Sequence, residues 1–164
     1  MSRLLQKVPL ASVIQSFTGT HGRFVCQGSH IFLILYCFLV ALDLLIKKCV
    51  SCDAKDMRPM TEQAANGLIT KVDGWNLVSE GDALRLKRSW TVKTFTKGLD
   101  MLKLVADVAE AEGHYPDLHL VGWNNVTVEI WTHAVGGLTE NDFILAAKIN
   151  RISMQHLLRR KATD

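Results

Sequence analysis

The chain has 164 residues, with 19 Lys and Arg against 16 Asp and Glu and a mean hydropathy of +0.12. These values predict one domain with a real hydrophobic core and exclude a broadly disordered chain. The formal charge of +3 lies wholly in residues 1–42, where Arg3, Lys7 and Arg23 meet no acid; residues 43–57 hold three of each sign and residues 58–164 thirteen of each. So balanced a body excludes a generally basic nucleic-acid binder, and no direct nucleic-acid binding is expected.

Residues 1–30 combine scattered bases, hydroxyl residues and no acid, the composition of an organellar presequence. Residues 31–42, IFLILYCFLVAL, are uninterruptedly apolar, and Leu44–Ile46 extend the run past Asp43 before Lys47-Lys48 close it. A spanning helix needs about 20 apolar residues, so the stretch is marginal as one. Three readings of 31–48 stay open: a sorting signal behind a presequence, a membrane anchor through 31–46, or an artefact of the gene model. The corresponding locations are a mitochondrion or, as alternatives, a membrane surface or the cytoplasm. All four cysteines, Cys26, Cys37, Cys49 and Cys52, precede residue 53. Cys49 and Cys52 form a CxxC with no second CxxC to complete a tetrahedral zinc site. They read as incidental cysteines of a linker over 49–57, with a redox pair as the alternative.

The domain is expected over 58–160. Pro59 and Thr61-Glu62-Gln63 predict a helix start, with Ala64, Ala65, Leu68 and Ile69 on its apolar face. Gly74-Trp75 turns into a strand at 75–78. Leu84, Leu86 and Trp90 alternate with Arg85, Lys87 and Ser89 in a second strand. Phe95, Leu99, Leu102, Val105, Ala106 and Ala109 recur at helical steps over about 95–112, with Thr94 as N-cap and Gly113 as the stop. Leu118 and Leu120 mark a third strand, Asn124-Asn125 a turn, and Val126–Thr132 a fourth. Thr139 with Asp142 predicts a capping box opening a last helix, whose face is Phe143, Ala146, Ala147 and Ile149. The order α-β-β-α-β-β-α with hairpin-length links predicts an α+β fold, a four-stranded antiparallel sheet with three helices on one face.

Proton-handling groups gather at the ends of these elements: Glu110, His114-Tyr115-Pro116, Trp123, His133 and Asp142. Two imidazoles, each with an ordinary pKa of about 6.5, suit acid–base chemistry near neutral pH, and a carboxylate can orient one of them. An aromatic can hold a flat ring. Surface residues of no catalytic use, or a metal site drawing on His114, His133, Asp142 or Glu110, are the competing readings, although no HExxH-type pair exists.

The stretch Ala109–Asp117, AEAEGHYPD, followed by Trp123, Thr132-His133, Gly137-Leu138-Thr139, Asp142 and Ala146, resembles the signature of the pterin-4a-carbinolamine dehydratase family, in a form like its plant mitochondrial members. The resemblance covers about residues 58–152. It implies the fold derived above, homodimers or homotetramers, and dehydration of a 4a-hydroxytetrahydropterin to the quinonoid dihydropterin without a metal or organic cofactor. It implies His114 and His133 as the acid–base pair, Asp142 orienting His133, and Glu110, Tyr115, Pro116, Trp123 and Thr132 binding the pterin. One position departs: the family usually carries a second His where Tyr115 stands, and a phenol is a poor proton shuttle near neutral pH. The family also includes protein-binding factors, one of them a dimerisation cofactor of a homeodomain transcription factor. That alternative would use a surface instead, and Arg85, Lys87, Arg88, Lys93 and Lys97 supply a run of bases that could meet an acidic partner or merely protect a strand edge.

Overall fold

The computed structural model describes residues 43–52, 57–81 and 83–160. The presequence-like segment and the apolar run 31–42 lie outside the described residues. Among the described residues, no helix is long and apolar enough to cross a membrane.

The elements follow in the expected order: α1 (Glu62–Ile69), β1 (Asn76–Glu80), β2 (Ala83–Thr91), α2 (Phe95–Glu112), β3 (Asp117–Val121), β4 (Asn125–Ile130) and α3 (Glu140–Ile149). The caps form as the sequence predicts. Thr61 Oγ1 accepts from Ala64 N–H and Thr94 Oγ1 from Lys97 N–H, at 3.3 and 3.2 Å, each satisfying a donor that the first helical turn leaves open. The four strands form one antiparallel sheet in the order β1-β2-β4-β3. Leu86 pairs with Ile130, and Trp90 with Val126, so the alternate residues of β2 and β4 point to the helices. Leu86, Val126, Val128 and Ile130 are fully buried there, against Met101 and Val105 of α2 and Phe143, Leu145 and Ile149 of α3.

Two strand ends differ from expectation. Trp75 precedes β1; it is buried, donates its indole N–H to Asn150 Oδ1 at 2.9 Å and meets Trp90 edge-on at 6.1 Å. β4 stops at Ile130, because Thr132 N–H bonds Gly137 O at 2.9 Å and closes a loop around a 3₁₀ turn at His133–Val135.

The base-rich stretch is a correction. β2 is an interior strand of the sheet, and each base already has a partner inside the molecule. Arg85 pairs with Glu80 and Glu129, and Lys87 with Glu129. Arg88 donates to Asp73 O and Asn150 Oδ1, Lys93 to His156 O, and Lys97 pairs with Asp100. These contacts satisfy the open face of the sheet and the chain ends, so the run is not a strip of free charge.

A second difference concerns residues 44–52, expected as the end of the apolar segment and a linker. Leu44 is buried in the core, and residues 47–50 run along α3. Lys47 Nζ lies 2.7 Å from Glu140, Val50 N–H donates to Asn141 Oδ1 at 3.0 Å, and Asn141 Nδ2 donates back to Val50 O at 2.8 Å. The physical reason is that α3 is apolar on more than one side. Ile144 and Leu145 are buried along with Phe143 and Ala146, and such a helix must be covered on both faces.

Glu129 is almost wholly buried beneath Lys87 and Arg85. The Lys87 hydrogen bond outweighs burial and, with Arg85, holds its carboxyl below the ordinary range. A depressed folded-state pKa contributes stability that is present above the unfolded value of about 4.3 and is lost as pH falls through the folded value. Denaturation midpoints are therefore expected to hold down to about pH 5 and fall below about pH 4. Glu129→Gln is expected to be less stable than the parent at pH 7 and to lose less on acidification; equal acid slopes in the two chains would contradict this.

Candidate active site

The site is assembled from three chain reversals. The first is the end of α2. Gly113 takes the left-handed conformation, φ 63°, and its amide bonds back to Ala109 O and Glu110 O. A side chain there would be strained, so glycine allows the helix to stop within one residue. The reversal turns His114 inward, to 4% exposure, while Tyr115 points out at 56%. Tyr115 donates its hydroxyl to Glu110 Oε2 at 3.2 Å, and the Glu110 charge raises the phenol above its ordinary range.

The second reversal is the loop after β4 and the third is the start of α3. They meet at Asp142, which has no solvent exposure. Its Oδ1 lies 2.6 Å from His114 Nε2. Its Oδ2 accepts from Thr139 N–H at 2.6 Å, from Thr132 Oγ1 at 3.0 Å and from Thr139 Oγ1 at 3.3 Å. The two threonine hydroxyls are themselves 2.8 Å apart. The capping box that the sequence predicts is therefore present, and the same carboxylate serves an imidazole. Facing the other side of that ring, Cys52 Sγ lies 3.5 Å from His114 Nδ1.

A second, more open cluster sits one residue past Thr132. His133 is 53% exposed on its side chain, and its Nε2 lies 3.5 Å from Asp117 Oδ1. Asp117 Oδ2 accepts from Trp131 Nε1 at 2.8 Å, the Trp131 and His133 ring centres are 4.2 Å apart, and the Arg85 guanidinium lies 4.4 Å above the Trp131 ring. The register places these groups together: Asp117 pairs with Glu129 across β3 and β4, so the start of β3 lies beside the end of β4.

The expectation that Asp142 orients His133 is thus corrected. Asp142 holds His114, and Asp117 stands against His133. Asp142 is buried with α3, whereas the loop after Thr132 carries His133 out to the surface. His114, Thr132 and Asp142 come together, Pro116 lies between the two clusters in the chain, and Glu110 and Tyr115 pair on the rim. Trp123 is not brought to the histidines. It occupies the turn at the far end of the β3–β4 hairpin, about 13 Å along the strand from Asp117, at φ 66° and 56% exposed. Asp117, Trp131, Thr139 and Cys52 join the site without having been expected there. Asp117 had a signal in strand register, since a residue opposite Glu129 must sit near the exit of β4; Cys52 had none. Among the described residues, no group of three or more His, Cys, Asp or Glu side chains is placed to hold a metal ion.

The family model described as pterin 4 alpha carbinolamine dehydratase matches residues 58–152, a span holding both histidines and both carboxylates. The mitochondrial pterin-4-alpha-carbinolamine dehydratase 2 of Arabidopsis thaliana is 52% identical over 185 aligned positions, covering 98% of each chain. A crystal structure of a transcriptional coactivator/pterin dehydratase from Brucella melitensis superposes with a TM-score of 0.50 at 30% identity, over 57% of this chain and 96% of that one. With a family match across more than half its length and a relative aligned end to end, the chain belongs to the pterin-4a-carbinolamine dehydratase family.

Proposed function

We propose that this chain dehydrates a 4a-hydroxytetrahydropterin to the quinonoid dihydropterin and water, by general acid–base catalysis from His114 and His133. The observation that carries the reading is the buried Asp142–His114 pair beside the more open Asp117–His133 pair, inside the span that matches the family. The reaction needs one proton delivered to the departing hydroxyl on C4a and one removed from N5. Two imidazoles in different surroundings divide that work. Because His114 Nε2 is committed to Asp142, proton exchange with substrate falls to Nδ1, on the side of the ring where Cys52 Sγ lies 3.5 Å away. Asp142 fixes the orientation and tautomer of the ring. His133, held against Asp117 and Trp131, meets the other face of the ring. Tyr115 and Glu110 form a polar rim, Pro116 a flat apolar wall, and Thr132 acts through Asp142.

The pterin substrate would come from hydroxylation of a tetrahydropterin, and the product would return to that pool. A mitochondrial address is supported by the acid-free leader and by the location in the Arabidopsis relative's name. Self-association is supported by Phe95 and Leu99, about half exposed on α2, which leave apolar surface for another copy to cover. A protein-binding role draws no support from the base-rich stretch, whose charges are satisfied within the chain.

The full chain is expected to accelerate dehydration of the carbinolamine over buffer, measured by stopped-flow absorbance. No acceleration would overturn the reading. His133→Ala, which leaves the buried Asp142–His114 pair intact, is expected to lower kcat by at least about 10²-fold with the fold retained by circular dichroism.

Tyr115 keeps its proton near neutral pH, since Glu110 raises the phenol, so it binds without shuttling. Tyr115→His is expected to raise kcat about tenfold. An unchanged or lower rate would show that the second histidine of the family is not needed here.

A further inference from the structure

Each nitrogen of His114 has a polar neighbour. Nε2 lies 2.6 Å from the buried Asp142, and Nδ1 lies 3.5 Å from Cys52 Sγ. Thiol, imidazole and carboxylate therefore stand in line, with a ring only 4% exposed and a carboxylate with no exposure behind it. A nucleophile within reach of a base that a third group orients is the arrangement that activates a cysteine.

Cys52 lies outside the span matched to the family, and the dehydration proposed above has no use for a thiol. Its segment is held from two helices. The Cys49 amide donates to Glu112 Oε2 at 3.2 Å, on a carboxylate fixed by Lys148 at 2.7 Å. Asn141 is paired twice to Val50, and its Nδ2 reaches Cys52 Sγ at 3.8 Å. The thiol is thus delivered to His114 by a backbone anchored on both α2 and α3. Cys49 supplies the contrast. Its Sγ meets the carbonyl of Asn141, at 3.6 Å, and burial pushes that thiol up to about 12, so it stays protonated.

We propose that Cys52 is a thiol–disulfide exchange site for a low-molecular-weight disulfide of the glutathione class, and that its occupation closes the site to the pterin. His114 Nδ1 takes the thiol proton. The thiolate attacks one sulfur of the disulfide, a Cys52 S–S bond forms and the original S–S bond breaks. The departing thiolate takes the proton back from Nδ1, so one protein thiol and one disulfide give a mixed disulfide and one free thiol. The adduct stands on the one nitrogen of His114 that faces substrate. Closure rests on the dehydratase reading; the exchange itself does not.

The test uses the full chain with glutathione disulfide, read by mass on the peptide that carries Cys52. Cys49→Ser is expected to keep the adduct and Cys52→Ser to lose it. In the Cys49→Ser chain, Cys52 is expected to react at least about tenfold faster when folded than when unfolded in urea, at pH 7. A folded rate equal to or below the unfolded rate would overturn the assignment, and this comparison decides even where His114→Asn fails to fold. Where it folds, His114→Asn is expected to bring the rate to the unfolded level; an unchanged rate would contradict the proposal. The adduct is expected to lower dehydration at least tenfold, restored by dithiothreitol, and an adduct that leaves dehydration unchanged would overturn closure. A parent without dehydratase activity would fail the earlier reading alone, since the exchange rates are read by mass.

Discussion

A carboxylate with no solvent exposure is tolerable in a protein core only when its oxygens are met by donors, because the cost of burying an unpaired charge is several kcal/mol. Asp142 satisfies that condition with groups from separate parts of the chain. His114 comes from the end of α2, Thr132 from the exit of β4, and Thr139 from the start of α3. The three reversals must therefore meet at one point. Gly113 allows the sharp stop, the bond from Thr132 N–H to Gly137 O closes the loop, and the capping box starts the last helix. A capping residue has been given a second task, since the oxygen not needed for the cap faces the imidazole.

The same constraint separates the two histidines by environment. One is enclosed, with a carboxylate on one nitrogen and a thiol on the other. The other is half-exposed, tilted against the Trp131 ring and set against Asp117. Titratable groups placed in unlike surroundings are what an acid–base reaction requires, because each can then be suited to one direction of proton transfer. The open face of the sheet supports the second cluster. Arg85 covers Trp131 and is itself held by Glu80 and Glu129.

Much of the fold was legible because local chemistry and long-range packing agree in it. Thr94 and Gly113 bound α2 at the residues their capping properties indicate, and the alternation of Val126, Val128 and Ile130 names the buried face of β4. The identity of the site residues was legible from their spacing, but their pairing was not. Spacing cannot say that the chain turns outward after Thr132, and that single turn decides that Asp142 faces His114 while Asp117 faces His133. The charges of β2 misled for a related reason. Arg85, Lys87 and Arg88 are close in sequence but divide between the two faces of an interior strand: Arg85 and Lys87 share Glu129 on one face, and Arg88 meets Asp73 O and Asn150 on the other. The segment 44–52 was hidden because its cover over α3 depends on contacts about 90 residues away, such as Val50 with Asn141.

The pairing of each imidazole with its own carboxylate is the claim on which the rest stands. It is tested most directly by following the imidazole nitrogen signals of His114 and His133 by NMR in the full chain, in Asp142→Asn and in Asp117→Asn. Asp142→Asn is expected to move the His114 signals and leave those of His133 in place, and Asp117→Asn to do the reverse. Movement of the His133 signals in Asp142→Asn, with His114 unchanged, would contradict it.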